Sequence, residues 1–140
     1  MKLNTYVNYA GKCDKALQYY EKHLGAKILV QMTFDQMPEP RQIPPGLEKG
    51  ILHARFMLGD AVVMASDGPL DRVQPMRSAY LTLSADSSAE AERIYKVLSD
   101  GGEVFIPMAE TFFAHRFAQL RDQFGANWMI IHEKPMGPRG

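Results

Sequence analysis

The feature that most constrains this chain is an order of elements that occurs twice: an alternating strand, a one-striped helix ended by glycine, and three more strand-like runs. LNTYVNY (3–9) alternates and carries Val, Tyr and Thr, which predicts a strand. A turn at Ala10-Gly11 leads to a helix over 13–24, where Ala16, Leu17, Tyr20 and Leu24 make one apolar stripe. Gly25 stops it, as a glycine just past a periodic run does. AKILVQMTF (26–34) reads as the next strand, and ILHARFML (51–58), a Gly59-Asp60 turn and AVVMAS (61–66) as a hairpin.

The second pass starts with SAYLTLSA (78–85). Ser87 or Ser88 caps the following helix, with Glu90 three residues after Ser87 as in a capping box. Ala91, Ile94, Tyr95 and Leu98 form its stripe, and Gly101-Gly102 ends it. EVFIPM (103–108), AHRFAQLR (114–121) and NWMIIHE (127–133) supply three further strands. Sliding the chain by 75 aligns Ala16 with Ala91, Tyr20 with Tyr95 and Thr5 with Tyr80. The expected organisation is one domain over 1–134, with βαβββ modules at about 1–68 and 77–134 and a frayed tail at 135–140.

Composition removes several function classes. Sixteen Lys and Arg balance sixteen Asp and Glu, so no net positive field draws the chain to nucleic acid. No apolar run approaches the roughly 20 residues that span a bilayer. Cys13 is the only cysteine, which excludes an intramolecular disulfide and a Cys-rich zinc site and suits a reducing, cytoplasmic compartment. Phosphate-loop, dinucleotide and nucleophile-elbow motifs are missing. The stretch 35–50 (DQMPEPRQIPPGLEKG) holds four prolines and two glycines, and a loop so long reads as a lid or a dimer arm.

Three stretches carry a resemblance: YVNYAGKCDKALQYYEKHLGAKI, HARFMLGDAVVMASD, and ETFFAHRFAQLRDQFGANWMI with its D-x-F-G turn at Asp122 to Gly125. They resemble the vicinal oxygen chelate superfamily of glyoxalase I, bleomycin-resistance proteins and extradiol dioxygenases, and more narrowly its PhnB-like branch. The resemblance implies an α+β fold in which two βαβββ modules form a curled mixed sheet around a cleft (the glyoxalase/bleomycin-resistance fold), commonly in a homodimer. It also implies a small-molecule site, which metal-using members build from His, Glu or Gln on the first and last strand of each module. The ubiquinone-pathway methyltransferase label sometimes attached to this branch finds no glycine-rich nucleotide loop here.

Carried over by residue, the four ligand positions fall at Thr5, Met64, Tyr80 and Met129, and none is a His, Glu or Gln. A thioether and a neutral hydroxyl are poor partners for a hard or borderline divalent ion. A register error of two brings Ser66 into range, and one of four Glu133. No metal or other cofactor is therefore expected. The expected cleft lining is Thr5, Met64, Ser66, Tyr80, Phe113, His115 and Met129, with Met64 and Met129 making it adaptable.

Other residues stay open between two readings. His53 and Arg55 share a strand face and suit either an anionic group or a solvated edge. Glu110 and His115 flank Phe112-Phe113, a composition that fits either a pocket or a rim. His53, Glu110 and His115 are also the ligands of the alternative, a metal-dependent lyase, isomerase or dioxygenase with relocated ligands. Asp67 reads as a cap for the turn that follows it, Cys13 as a buried inert thiol, and His23 and His132 as surface residues. The expected protein is a metal-free, dimeric, small-molecule-binding member of this family; the sequence leaves open whether it is catalytic.

Overall fold

The first module runs β1 (Thr5–Asn8), α1 (Cys13–Leu24), β2 (Lys27–Thr33), β3 (Ile51–Leu58) and β4 (Ala61–Ser66). The second repeats it as β5 (Leu81–Ser84), α2 (Ser88–Ser99), β6 (Glu103–Ala109), β7 (Ala114–Arg121) and β8 (Asn127–Glu133). These positions come from a computed structural model, which describes residues 1–37, 43, 45–68 and 70–135. The tail beyond residue 135 and residues 38–42 and 44 of the proline-rich stretch lie outside the described residues, and with them part of the expected lid or arm. Two compact units result, Met1–Gln74 and Pro75–Gly140.

Each unit builds one four-stranded mixed sheet, ordered β1-β4-β3-β2 in the first and β5-β8-β7-β6 in the second. First and last strands pair parallel, β1 with β4 and β5 with β8, while the remaining pairs are antiparallel. The α+β class and the duplicated βαβββ order both hold. Phe34 leaves the second strand for a single 3₁₀ turn at Phe34–Gln36, and the strands expected over 3–9 and 78–85 shorten to Thr5–Asn8 and Leu81–Ser84.

Each helix buries its predicted stripe against its own sheet. Cys13, Ala16, Leu17 and Tyr20 of α1 are fully enclosed, and Tyr20 packs on Tyr9 at 6.2 Å and on Phe56 of β3 at 5.7 Å between ring centroids. In α2 the buried residues are Ala91, Ile94 and Leu98, over a sheet whose inner face is Ala118, Leu120, Trp128 and Ile130. Burying an aliphatic or aromatic side chain of this kind contributes about 2 kcal/mol, so each stripe holds its helix to the sheet. Leu24 and Tyr95 close the stripes only half-buried.

The helix ends differ in how they satisfy their backbone. Ser87 caps α2 by accepting the Glu90 N–H at 3.0 Å, while Glu90 itself reaches the Asp86 N–H at 3.1 Å. Lys12 gives α1 no side-chain cap; that function comes from Asp67, at the far end of the module. Gly25 takes the left-handed conformation (φ 71°) that ends α1. Gly102 is needed for another reason: a Cβ there would lie 2.2 Å from the Arg121 carbonyl oxygen.

Candidate functional site

Strand alternation sends successive side chains to opposite faces, so the helix claims one face of each sheet and its module leaves the other uncovered. In the first sheet the helix side carries Val7, Ala65, Ala54 and Phe56, all buried. The register then places Tyr6, Met64, Arg55 and Val30 side by side on the uncovered face. In the second sheet the matching row is Thr82, Met129, Gln119 and Ile106. Met64 and Met129 thus occupy equivalent places in the two modules.

Thr5 requires a correction. It pairs with Val63 and stands on the helix side, whereas Tyr6 is the residue beside Met64. The cause is a one-residue difference between the modules. Four residues (9–12) separate β1 from α1, but three (85–87) separate β5 from α2. The helices therefore superpose with a shift of 75 and the first strands with a shift of 76, and a one-residue slip moves a side chain to the other face. Thr5 corresponds to Leu81, and Tyr6 to Thr82. Tyr80 lies just before β5, outside the ladder and half-buried.

The other candidates distribute as follows. Ser66 is buried on the face of Met64, where its Oγ accepts a hydrogen bond from the Tyr6 hydroxyl. His53 pairs with Met32 on that same face. Phe113 stands edge-on to Phe112 at 5.2 Å and to Phe117 at 5.3 Å, and Phe117 shares the face of Met129 by alternation along β7. His115 packs against His132 with ring centroids 5.0 Å apart, and His132 Nδ1 lies 3.2 Å from Ser88 Oγ at the start of α2. His132 is therefore half-buried and partnered, not a bare surface residue. His23, likewise half-buried, packs against Tyr19 with ring centroids 4.4 Å apart and the planes inclined at 49°.

Glu110 does not hydrogen-bond His115. Its carboxylate meets Lys134 Nζ at 2.9 Å, and that hydrogen bond and charge hold it below the usual carboxylate range. Among the described residues no three His, Cys, Asp or Glu side chains gather as a metal ion would require. Of the alternative ligands His53, Glu110 and His115, the last two lie in the second unit, where Glu110 is engaged by Lys134. At the first- and last-strand positions the corrected donors are Tyr6, Met64, Thr82 and Met129. Neutral hydroxyls and thioethers do not fit the divalent ion that metal-using relatives hold.

Three further groups prove structural. Asp67 is 1% exposed and accepts the N–H groups of Gly11, Cys13 and Ile51 at 2.8, 2.9 and 2.7 Å. It does not cap the turn that follows it. Asp122 accepts the N–H groups of Phe124 and Ala126 and the Trp128 indole, the last at 2.8 Å. Burial, with the nearby Asp67 and Asp14 charges, pushes the Cys13 thiol up to about 12. A recess of about 330 Å³ lined by Gly11, Lys15, Leu47, Lys49 and Asp67 opens over the start of α1; its buried carboxylate is already committed to backbone donors.

The sequence reading missed Tyr6, Thr82, Gln119 and Phe117. The signal for the first two lay in matching the buried Val7 to Leu83 instead of matching helix to helix. No helix among the described residues is long and apolar enough to cross a membrane.

A family model for the glyoxalase/bleomycin resistance protein/dioxygenase superfamily matches residues 2–130. Protein YjdN of Escherichia coli (strain K12) is 31% identical over 138 residues, covering 93% of this chain and 94% of YjdN. The crystal structure of PA1353 from Pseudomonas aeruginosa superposes with a TM-score of 0.84 at 32% identity, over 96% of this chain and 99% of that one. A PhnB protein from Bacillus cereus, described as a putative 3-demethylubiquinone-9 3-methyltransferase, shares the fold with a TM-score of 0.80 at 20% identity, over 94% and 99% of the two chains. With its duplicated βαβββ sheets and these PhnB-like neighbours, the chain belongs to the glyoxalase/bleomycin resistance protein/dioxygenase superfamily.

Proposed function

We propose that the uncovered sheet faces bind a small organic molecule without a resident divalent ion, in a cytoplasmic homodimer. The observation that carries this reading is the residue set at the strand positions where metal-using relatives place ligands: Tyr6 and Met64 in one module, Thr82 and Met129 in the other. Flexible thioethers beside hydroxyls and aromatic rings suit an organic ligand, because methionine adapts its shape to an apolar surface. Membership of the superfamily supports a small-molecule partner.

Dimerisation draws support from the outer strands. Leu29, Val30 and Met32 on β2, and Val104, Phe105 and Ile106 on β6, are 37–42% exposed. Apolar sheet edges of this kind are ordinarily covered by another chain. Cys13, a lone buried thiol, suits a reducing compartment.

The test is a ligand screen on protein carrying ¹³C-methyl methionine. A ligand of the proposed kind moves the Met64 or Met129 methyl signals and raises the melting temperature further with each increase in ligand concentration, as RT ln(1 + [L]/Kd) requires. Ligands that stabilise the protein while leaving both methyls unmoved would overturn the reading.

A further inference from the structure

We infer that the uncovered face of the first sheet recognises an organic oxyanion, a carboxylate or phosphonate on an apolar body, through Arg55. The inference rests on the small-molecule reading above and names the ligand class for one of its two faces.

The two modules present matched rows that differ in charge. Tyr6, Met64, Arg55 and Val30 form one; Thr82, Met129, Gln119 and Ile106 form the other. Gln119 stands where Arg55 stands, so the first row carries a guanidinium and the second is neutral.

The second module's arginines on β7 are already engaged. Arg116 binds Glu92 at 3.0 Å and the His115 carbonyl at 2.7 Å. Arg121 donates to Asn127 Oδ1 at 3.0 Å and to the Met76 carbonyl at 2.7 Å, and lies 5.3 Å from the centre of the Phe105 ring. Arg55 is exposed, and among the described residues no hydrogen bond or ion pair occupies its guanidinium.

The surroundings of Arg55 match the two parts of such a ligand. A guanidinium presents parallel N–H donors that fit a carboxylate or phosphonate in a fork. Its row neighbours Met64 and Val30, with the Tyr6 ring one strand further, give the apolar body a surface to lie on. His53, on the same face, and the Tyr6–Ser66 hydroxyl pair add polar contacts without adding a negative charge. The side-chain carboxylate of Asp67, just beyond β4, is turned to the backbone donors of Gly11, Cys13 and Ile51 and does not neutralise Arg55.

The experiment titrates the full chain, labelled at its methionine methyls, with phenylphosphonate, phenylacetate and the neutral 2-phenylethanol. Both anions are expected to move Met64 at lower concentration than the alcohol does. Arg55→Gln, which copies the second module, is expected to weaken both anions about tenfold or more and leave the alcohol unchanged; Arg55→Lys weakens them less, since it keeps the charge and loses the fork. Arg55 is exposed, so both variants should retain the wild-type spectrum. Equal anion affinity in Arg55→Gln and wild type, or anion shifts at Met129 with none at Met64, overturns the inference. Binding of the alcohol as tightly as the anions overturns the oxyanion preference and leaves the small-molecule reading standing. Movement of neither Met64 nor Met129 by any of the three probes overturns the inference, while the small-molecule reading falls only if ligands that stabilise the protein leave both methyls unmoved.

Discussion

The carboxylate of Asp67 accepts the backbone N–H of Cys13 at 2.9 Å, joining the end of β4 to the first turn of a helix 54 residues earlier in the chain. With Gly11 and Ile51 also donating to it, this one side chain fixes the start of α1 and the start of β3 together. The second module needs no such import, because Ser87 caps α2 from the adjoining position.

Asp67→Ala should therefore destabilise the chain by about 3 kcal/mol, since three backbone donors lose a charged acceptor in a buried place. Asp67→Asn should cost less, as one amide oxygen still accepts. Urea unfolding measures both, and a loss below about 1 kcal/mol for Asp67→Ala would contradict the role.

Cys13 should be inert. At pH 8 a thiol titrating at about 12 is ionised in roughly one molecule in ten thousand. Alkylation by iodoacetamide should then proceed only through unfolding, and its rate should follow urea concentration. The folded thiol's pKa is raised, so above pH 9, the ordinary thiol value, the unfolded chain alone releases this proton. Stability should fall as pH rises through that range, and Cys13→Ala should remove this part of the slope. Rapid labelling of the native protein at pH 8 would refute the assignment.

How much of this was legible in the sequence depended on the kind of signal. Helix stripes and glycine stops located Cys13–Leu24 to the residue, because periodicity and termination are local properties. The hairpin Ile51–Leu58 and Ala61–Ser66 was equally plain. Which face a strand residue takes depends on the length of the connection before the helix, and a difference of one residue there displaced Thr5 from the Met64 face. The partners of Asp67 were not legible, since a bond across 54 residues leaves no local pattern. The His115–His132 contact likewise appears only once β7 and β8 are paired.

The Glu110–Lys134 ion pair predicts a titration effect with a definite sign. The pair holds the Glu110 carboxyl below its ordinary value of 4.5, so its stabilising effect is complete above that value and is lost as pH falls through the lower folded one. Lys134→Ala should raise the midpoint of the Glu110 carboxyl resonance in an NMR titration. An unchanged midpoint would show that the pair does not form in solution. The carboxylate is well exposed, so unfolding stability at neutral pH should barely respond.

Metal content tests the central claim most directly. Protein purified without chelator and without a histidine tag, then incubated with zinc, nickel or manganese and desalted, should carry well under about one-tenth of an ion per chain, because Tyr6, Met64, Thr82 and Met129 offer poor donors. About one tightly held divalent ion per chain, retained through desalting, would contradict the account and require ligands other than these four.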